Sequence, residues 1–297
     1  MQAPTTKRLG ESLKPIISKL VTLSKADKHD VFNDIQWPDA LPEDQFWMSE
    51  KLLSVFGTAY YDEIGTEDLY RLSKEECLNF FSLNVHGIRE LLSVVVKHLH
   101  TPGFEIVSEF FHHFVDEENE HMYFFAKFCL QYGGKMYSDK RIQFPSAGSD
   151  SEINLFLVFL RMWLFEEIVD HFNYKMSTDK SLHPFIQELN MLHHKDEARH
   201  IAFGSCLLES IFRELVETRS PEDIEALRTY TKGYIKNSIE LLYNPYVYQT
   251  VGLKDNYTMR SNLLENEYRK QVHFTILSKP LNKLVDYNIL LNKNFYE

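Results

Sequence analysis

Cysteine, glycine, proline and uninterrupted apolar runs are all scarce in this chain, and each scarcity removes a class of protein. Cys77, Cys129 and Cys206 are the only cysteines among 297 residues and stand singly, without C-x-x-C spacing. That usage excludes a disulfide scaffold and a thiolate zinc site, and it fits buried thiols in a reducing compartment. The longest apolar stretch, Leu155 to Phe165, is broken by Arg161 and falls short of the about 20 residues that span a bilayer. The N-terminal segment MQAPTTKRLGESLKPIISKL has no continuous apolar region ahead of a small-residue cleavage site, so no secretory signal is expected. Lys and Arg number 32 against 43 Asp and Glu, a formal charge of −11, and the basic clusters that phosphate binding requires are missing. The expectation is a cytoplasmic protein with neither a membrane nor a nucleic-acid partner.

With 11 glycines and 10 prolines, long segments pass without punctuation, and their apolar residues recur with helical period, so the chain reads as all-α. Residues 1–42 read as a loose arm with a short helix, followed by a helix over about 43–63. Ser73-Lys74-Glu75-Glu76 has the form of a capping box and is expected to open a long helix to about His100. Thr101-Pro102 then reads as an N-cap and first-turn proline for a helix over about 103–132, antiparallel to the one before. The polar stretch GGKMYSDKRIQFPSAGSDSE is the longest loop-like segment and leads to a helix at about 152–176. His183-Pro184 and Ser220-Pro221 open two further helices, to about 217 and 243, and shorter ones fill about 258–293. No repeat or second domain is visible, so residues 1–297 read as one domain with a core at about 73–217.

Against that plain background one pattern occurs twice. Glu118-x-x-His121 recurs as Glu197-x-x-His200, the second extended backward by His193. On a helix, positions three and four apart share a face, so each motif aims a carboxylate and imidazoles at one point. Both motifs interrupt apolar stripes: Phe114, Phe125 and Phe128 flank the first, Ile186, Leu189 and Leu207 the second. Carboxylates among phenylalanines are costly unless something compensates them. Two Glu-x-x-His helices, plus a carboxylate from each of two others, make a dinuclear cage for iron or manganese. The helix at 152–176 offers Glu166 and Glu167, and a wheel with Arg161 on the solvent side turns Glu166 inward the better of the two, with Asp170 one turn on as an acceptor for a ligand histidine. Asp196 is a second such acceptor, for a histidine on the facing helix, and Arg199 is its partner. The helix at 73–100 leaves two alternatives: Glu90 has the right chemistry but lies about 6 to 10 Å too near the turn at 1.5 Å per residue, and His86 fits the layer better. Phe111, Phe114, Tyr123, Phe125, Phe159, Trp163 and Phe203 are candidates for a dry aromatic wall.

Taken together, Glu118-x-x-His121, Glu166 and His193-x-x-x-Glu197-x-x-His200 resemble the non-haem di-iron N-oxygenases typified by p-aminobenzoate N-oxygenase, over about residues 75–215. His193, one turn ahead of the second motif, is the feature that separates this family from other ferritin-like proteins. The resemblance implies a ferritin-like four-helix bundle with added N- and C-terminal helices, two iron ions with O2 as co-substrate, and stepwise oxidation of an arylamine toward a nitro group. It implies metal-ligand roles for Glu118, His121, Glu166, His193, Glu197 and His200, and the family's first-helix spacing is not matched by Glu90. An Fe/Mn or Mn pair suits the same donors. No dinucleotide fingerprint follows a predicted strand, so electrons are expected from an external donor or reductase, and the chain is expected to be a homodimer acting on a small molecule. Carbon hydroxylation or desaturation at the same metals, and a non-catalytic metal store or peroxide-protective protein, are the competing readings.

Overall fold

A computed structural model describes residues 6–138 and 151–296. Among them every regular element is a helix: α1 (Thr6–Ala26), α2 (Ala59–Glu63), α3 (Thr66–His98), α4 (Ser108–Gly133), α5 (Ser151–Thr178), α6 (Pro184–Thr218), α7 (Pro221–Leu242), α8 (Pro245–Val251), α9 (Asn256–Glu265), α10 (Glu267–Ile276) and α11 (Ser278–Asp286). The all-α expectation holds, and no described helix is long and apolar enough to cross a membrane.

Four long helices form the centre. α3 lies along α4 and α5 along α6, while α3 faces α5 and α4 faces α6, an antiparallel four-helix bundle. α5 is buried on nearly all sides, from Phe156, Leu160 and Trp163 to Met176, because α3, α6, α7 and α11 surround it. Gly204 lets α6 come close: a methyl there would sit 3.2 Å from the Trp163 ring. α7 starts at Pro221, as the sequence indicated, and the Ser220 hydroxyl and the Asp223 carboxylate cap each other's backbone N–H. His183 caps α6 ahead of Pro184, with its ring nitrogen accepting from the Phe185 N–H at 3.2 Å.

The N-terminal third departs from the sequence reading. Residues 6–26 are one helix of 21 residues, seated on α6 and α4 through Leu13, Ile17, Leu20 and Val21, all buried. The expected helix over 43–63 is irregular chain with a 3-10 turn at Glu50–Leu52, and only α2 is α-helical. Residues of α3 hold that irregular segment: the Ser73 hydroxyl accepts from the Trp47 N–H at 3.0 Å, and the Glu76 carboxylate from the Ser54 N–H at 3.0 Å. Ser73 and Glu76 are therefore inside α3, and the helix starts earlier, at Thr66, with Glu67 and Asp68 in the first turn where its dipole favours acid. Thr101 does not cap α4 either. Its hydroxyl donates back to the His98 carbonyl at 2.9 Å, and Gly103, at φ 93°, turns the chain before α4 starts at Ser108. The middle of the polar segment expected between α4 and α5, residues 139–150, lies outside the described residues.

Candidate metal centre

The two repeated motifs meet in the middle of the bundle. Among the described residues, one donor atom each from Glu118, His121, Glu197 and His200 can be chosen so that all lie within 4.8 Å of one another, and all four residues are buried. α4 supplies the first pair and α6 the second. His193 Nε2, from one turn earlier on α6, is 3.0 Å from Glu197 Oε1. Glu166 enters from α5, 2% exposed, close enough to feel the charges of Glu197 and Glu118.

Each imidazole is held by its far nitrogen. His121 Nε2 is 3.0 Å from Asp196 Oδ2, and His200 Nε2 is 2.7 Å from Glu117 Oε2. His193 Nδ1 is bonded to the Asn173 side chain. Arg199 donates to Glu117 at 2.8 Å and also to Asp196, which ties the two carboxylates together, and it reaches Asp27 at 3.3 Å. Their partners leave His121 Nδ1, His200 Nδ1 and His193 Nε2 facing the cage, an arrangement that fixes tautomer and ring orientation for metal ligation.

Most of the inner atoms have no hydrogen-bond partner in the protein. Both oxygens of Glu118, both of Glu166, Glu197 Oε2, His121 Nδ1 and His200 Nδ1 are buried without a hydrogen bond. His200 Nδ1 lies 2.8 Å from Glu118 Oε1, in a geometry that makes an ion-pair contact without forming a hydrogen bond. Buried polar atoms without partners are rare and costly, and carboxylate oxygens with imidazole nitrogens are a donor set for two divalent iron or manganese ions. The residues fit a metal pair.

The electrostatics agree. Burial pushes the Glu166 carboxyl well above the carboxylate range, and the neighbouring Glu197 charge pushes it further. Burial and Glu118 raise Glu197 to about 7. Burial would lower His121, but Asp196 and Glu118 outweigh it and hold the imidazole up at about 10. For His200 burial is likewise outweighed, by Glu117, Glu118 and Glu197. Burial and the nearby His121 charge push His193 well below the usual imidazole value, so it stays neutral, as a ligand must be.

Other expected residues sit elsewhere. Glu90 is exposed on α3, and His86 is only half-buried with its ring nitrogens taken up by the Tyr137 carbonyl at 2.8 Å and Arg89 at 3.2 Å. Neither joins the cage, because both lie on the side of α3 that lines an outer cleft. Glu167, also buried, is bonded to Lys283 Nζ at 2.8 Å, so of the adjacent pair Glu166 is the one turned to the centre. Asp170 holds His194 rather than a cage histidine. Glu117 and Asn173 take holding roles that the sequence reading missed; Glu117 has its signal in the sequence, an acid beside Glu118 and at the level of Arg199. Phe114 packs 4.4 Å from the His200 ring and Phe125 5.0 Å from His193, whereas Tyr123 lies outside, against Phe32.

A four-helix bundle closed around two Glu-x-x-His pairs, with a further carboxylate and imidazole, defines a ferritin-like carboxylate–histidine dimetal protein. The chain belongs to the p-aminobenzoate N-oxygenase AurF family, whose model matches residues 11–285. It is therefore an oxidoreductase, an oxygenase with a di-metal cofactor of the family's di-iron type. Among solved structures it is similar to a Val-to-Ala mutant of an R2-like ligand-binding oxidase with anaerobically reconstituted Mn/Fe cofactor, at 16% identity, TM-score 0.48, with 88% of this chain and 93% of that chain covered. No curated protein sequence matches the chain.

Proposed function

We propose that Glu118, His121, Glu166, His193, Glu197 and His200 hold the metal pair, and that the enzyme N-oxygenates a small arylamine with O2. The observation that carries the metal assignment is the set of inward-facing buried donors without protein partners. When bound and reduced, the metal pair supplies the electrons that activate O2. The protein's part is to keep His193 neutral, to anchor the three imidazoles from behind, and to exclude water with Phe114 and Phe125.

The substrate site in this reading is the cleft between α3, α5 and α7, about 200 Å³ in volume, lined by Leu83, Gly87, Met162, Phe165, Arg161 and Tyr234 among others. A cavity of about 150 Å³ already accepts benzene, so the cleft suits one aromatic ring. Phe165 in its wall directly precedes Glu166 on α5. Arg161 on its rim, with Nε on the Leu157 carbonyl at 3.1 Å, supports a carboxylated ring. In the same proposal residues 1–297 act as one domain and as a cytoplasmic homodimer, and electrons come from a separate reductase.

The test is to load the protein with iron without oxygen, reduce it, and add 18O2 with a panel of aminobenzoates and neutral anilines. Hydroxylamine, nitroso or nitro products carrying the label are expected. Label on ring carbon alone would replace N-oxygenation by carbon hydroxylation.

A further inference from the structure

A dimetal bundle of this kind normally draws one carboxylate from each of the two helices that lack the Glu-x-x-His motif. α5 offers Glu166; on α3 neither Glu90 nor His86 reaches the cage. The neighbours of α3 show which of its residues does point there. Phe81 meets Phe125 of α4 at 4.5 Å, Phe80 stacks on Phe172 of α5 at 5.1 Å, and Gly87 lies against Phe165 of α5. At about 100° per residue, Asn84 projects about 40° from Phe80 toward the side of Phe81, between the directions of α5 and α4 and into the bundle axis. Its level is also right. One turn beyond Phe81 on α3 matches one turn before Phe125 on antiparallel α4, which is where His121 sits, and on α5 it falls between Phe165 and Phe172, within a turn of Glu166.

Asn84 is fully buried. Its Nδ2 donates to the Phe80 carbonyl at 2.8 Å, which identifies the other atom as the oxygen and fixes its direction, and that Oδ1 is buried without a partner. It shares that condition with the inner atoms of Glu118, Glu166, Glu197, His121 and His200. An amide oxygen is a neutral hard donor suited to iron or manganese.

We propose that the Asn84 amide oxygen is the contribution of α3 to the metal centre, a neutral ligand where such bundles place a carboxylate. Three carboxylates, Glu118, Glu166 and Glu197, then face two divalent ions, so the reduced pair keeps one positive charge. The inference rests on the reading of the cage as a metal centre.

Asn84→Ala and Asn84→Asp, compared with the wild type for bound metal, for affinity by chelator competition, and for thermal midpoint with and without metal, test it without reference to turnover. Asn84→Ala should weaken one of the two ions about tenfold or more. In Asn84→Asp the metal-free protein should melt below the wild type, because it buries one more carboxylate, and metal should raise its midpoint by more than it raises that of the wild type. Unchanged affinity in Asn84→Ala, or an Asn84→Asp variant destabilised equally with and without metal, overturns the proposal. If the wild type itself binds no metal, the reading of the cage fails first.

Discussion

At the scale of single residues, the bundle centre is a store of protons. The shifts of His121, to about 10, and of Glu197, to about 7, together with the upward shifts of His200 and Glu166, keep protons in the metal-free cage near neutral pH. Metal must displace those protons, so affinity is expected to fall as pH falls, with protons released on binding. Calorimetric titration with iron(II) in buffers of different ionisation enthalpy checks this; a binding heat independent of buffer contradicts it. Residues behind the proposed ligands are expected to matter almost as much. Asp196→Asn removes the carboxylate from His121 Nε2, and the expected loss is about 10- to 100-fold in metal affinity while helix content is retained. In the proposed substrate cleft, Arg161→Ala should raise KM for a carboxylated arylamine about tenfold, the worth of one charge-assisted hydrogen bond, and leave neutral anilines unchanged.

Away from the cage, Glu76 gives a pH signature of the fold. Burial lifts its carboxyl from 4.5 to about 7 despite the Ser54 hydroxyl and N–H that bond it. A carboxyl raised in the folded state keeps its proton there longer than in the unfolded chain. Its contribution is thus most favourable below pH 4.5 and declines as pH rises to about 7. Glu76→Gln should flatten that decline and be the more stable protein above pH 7, as read from urea unfolding at several pH values. A steeper decline in the variant contradicts the assignment.

At the scale of helices, Gly87 is a close approach of α3 to α5. A methyl there would lie 2.5 Å from the Phe165 ring, so Gly87→Ala must displace that ring, which lines the cleft. A cost of about 1–3 kcal/mol is expected in denaturant unfolding; a neutral outcome would mean that Phe165 swings away freely. The same helices show what the sequence could reveal. α4, α5 and α6 were legible because their ligand residues break apolar stripes at helical spacing and because His183-Pro184 marks a start. Glu166 was separable from Glu167 by its place on the wheel. The start of α3 was misread, since Ser73 and Glu76 resemble a cap but serve the chain at Trp47 and Ser54, a partnership between segments that no local pattern records; its end, expected near His100, falls at His98. Glu90 drew attention as an acid on the right helix, whereas the inward residue, Asn84, is one whose type gives no metal signal. Asn173 was hidden for the same reason, whereas Glu117, an acid beside Glu118, was legible and overlooked.

At the scale of the whole molecule, the unpaired donors at the bundle centre come from α4, α5 and α6, whose packing brings them together. Metal is expected to raise the thermal midpoint substantially, by linkage between binding and folding, and the terminal helices α1 and α7 to α11 enclose the bundle without entering the cage. The most direct measurement is elemental analysis after anaerobic iron loading of the wild type, His193→Ala, Glu197→Ala and Glu166→Ala, with circular dichroism to establish that each variant keeps its helices. About two irons per chain in the wild type, with a fall in every folded variant, is the result expected. A wild type that binds none, or variants that bind as it does, would contradict the metal centre.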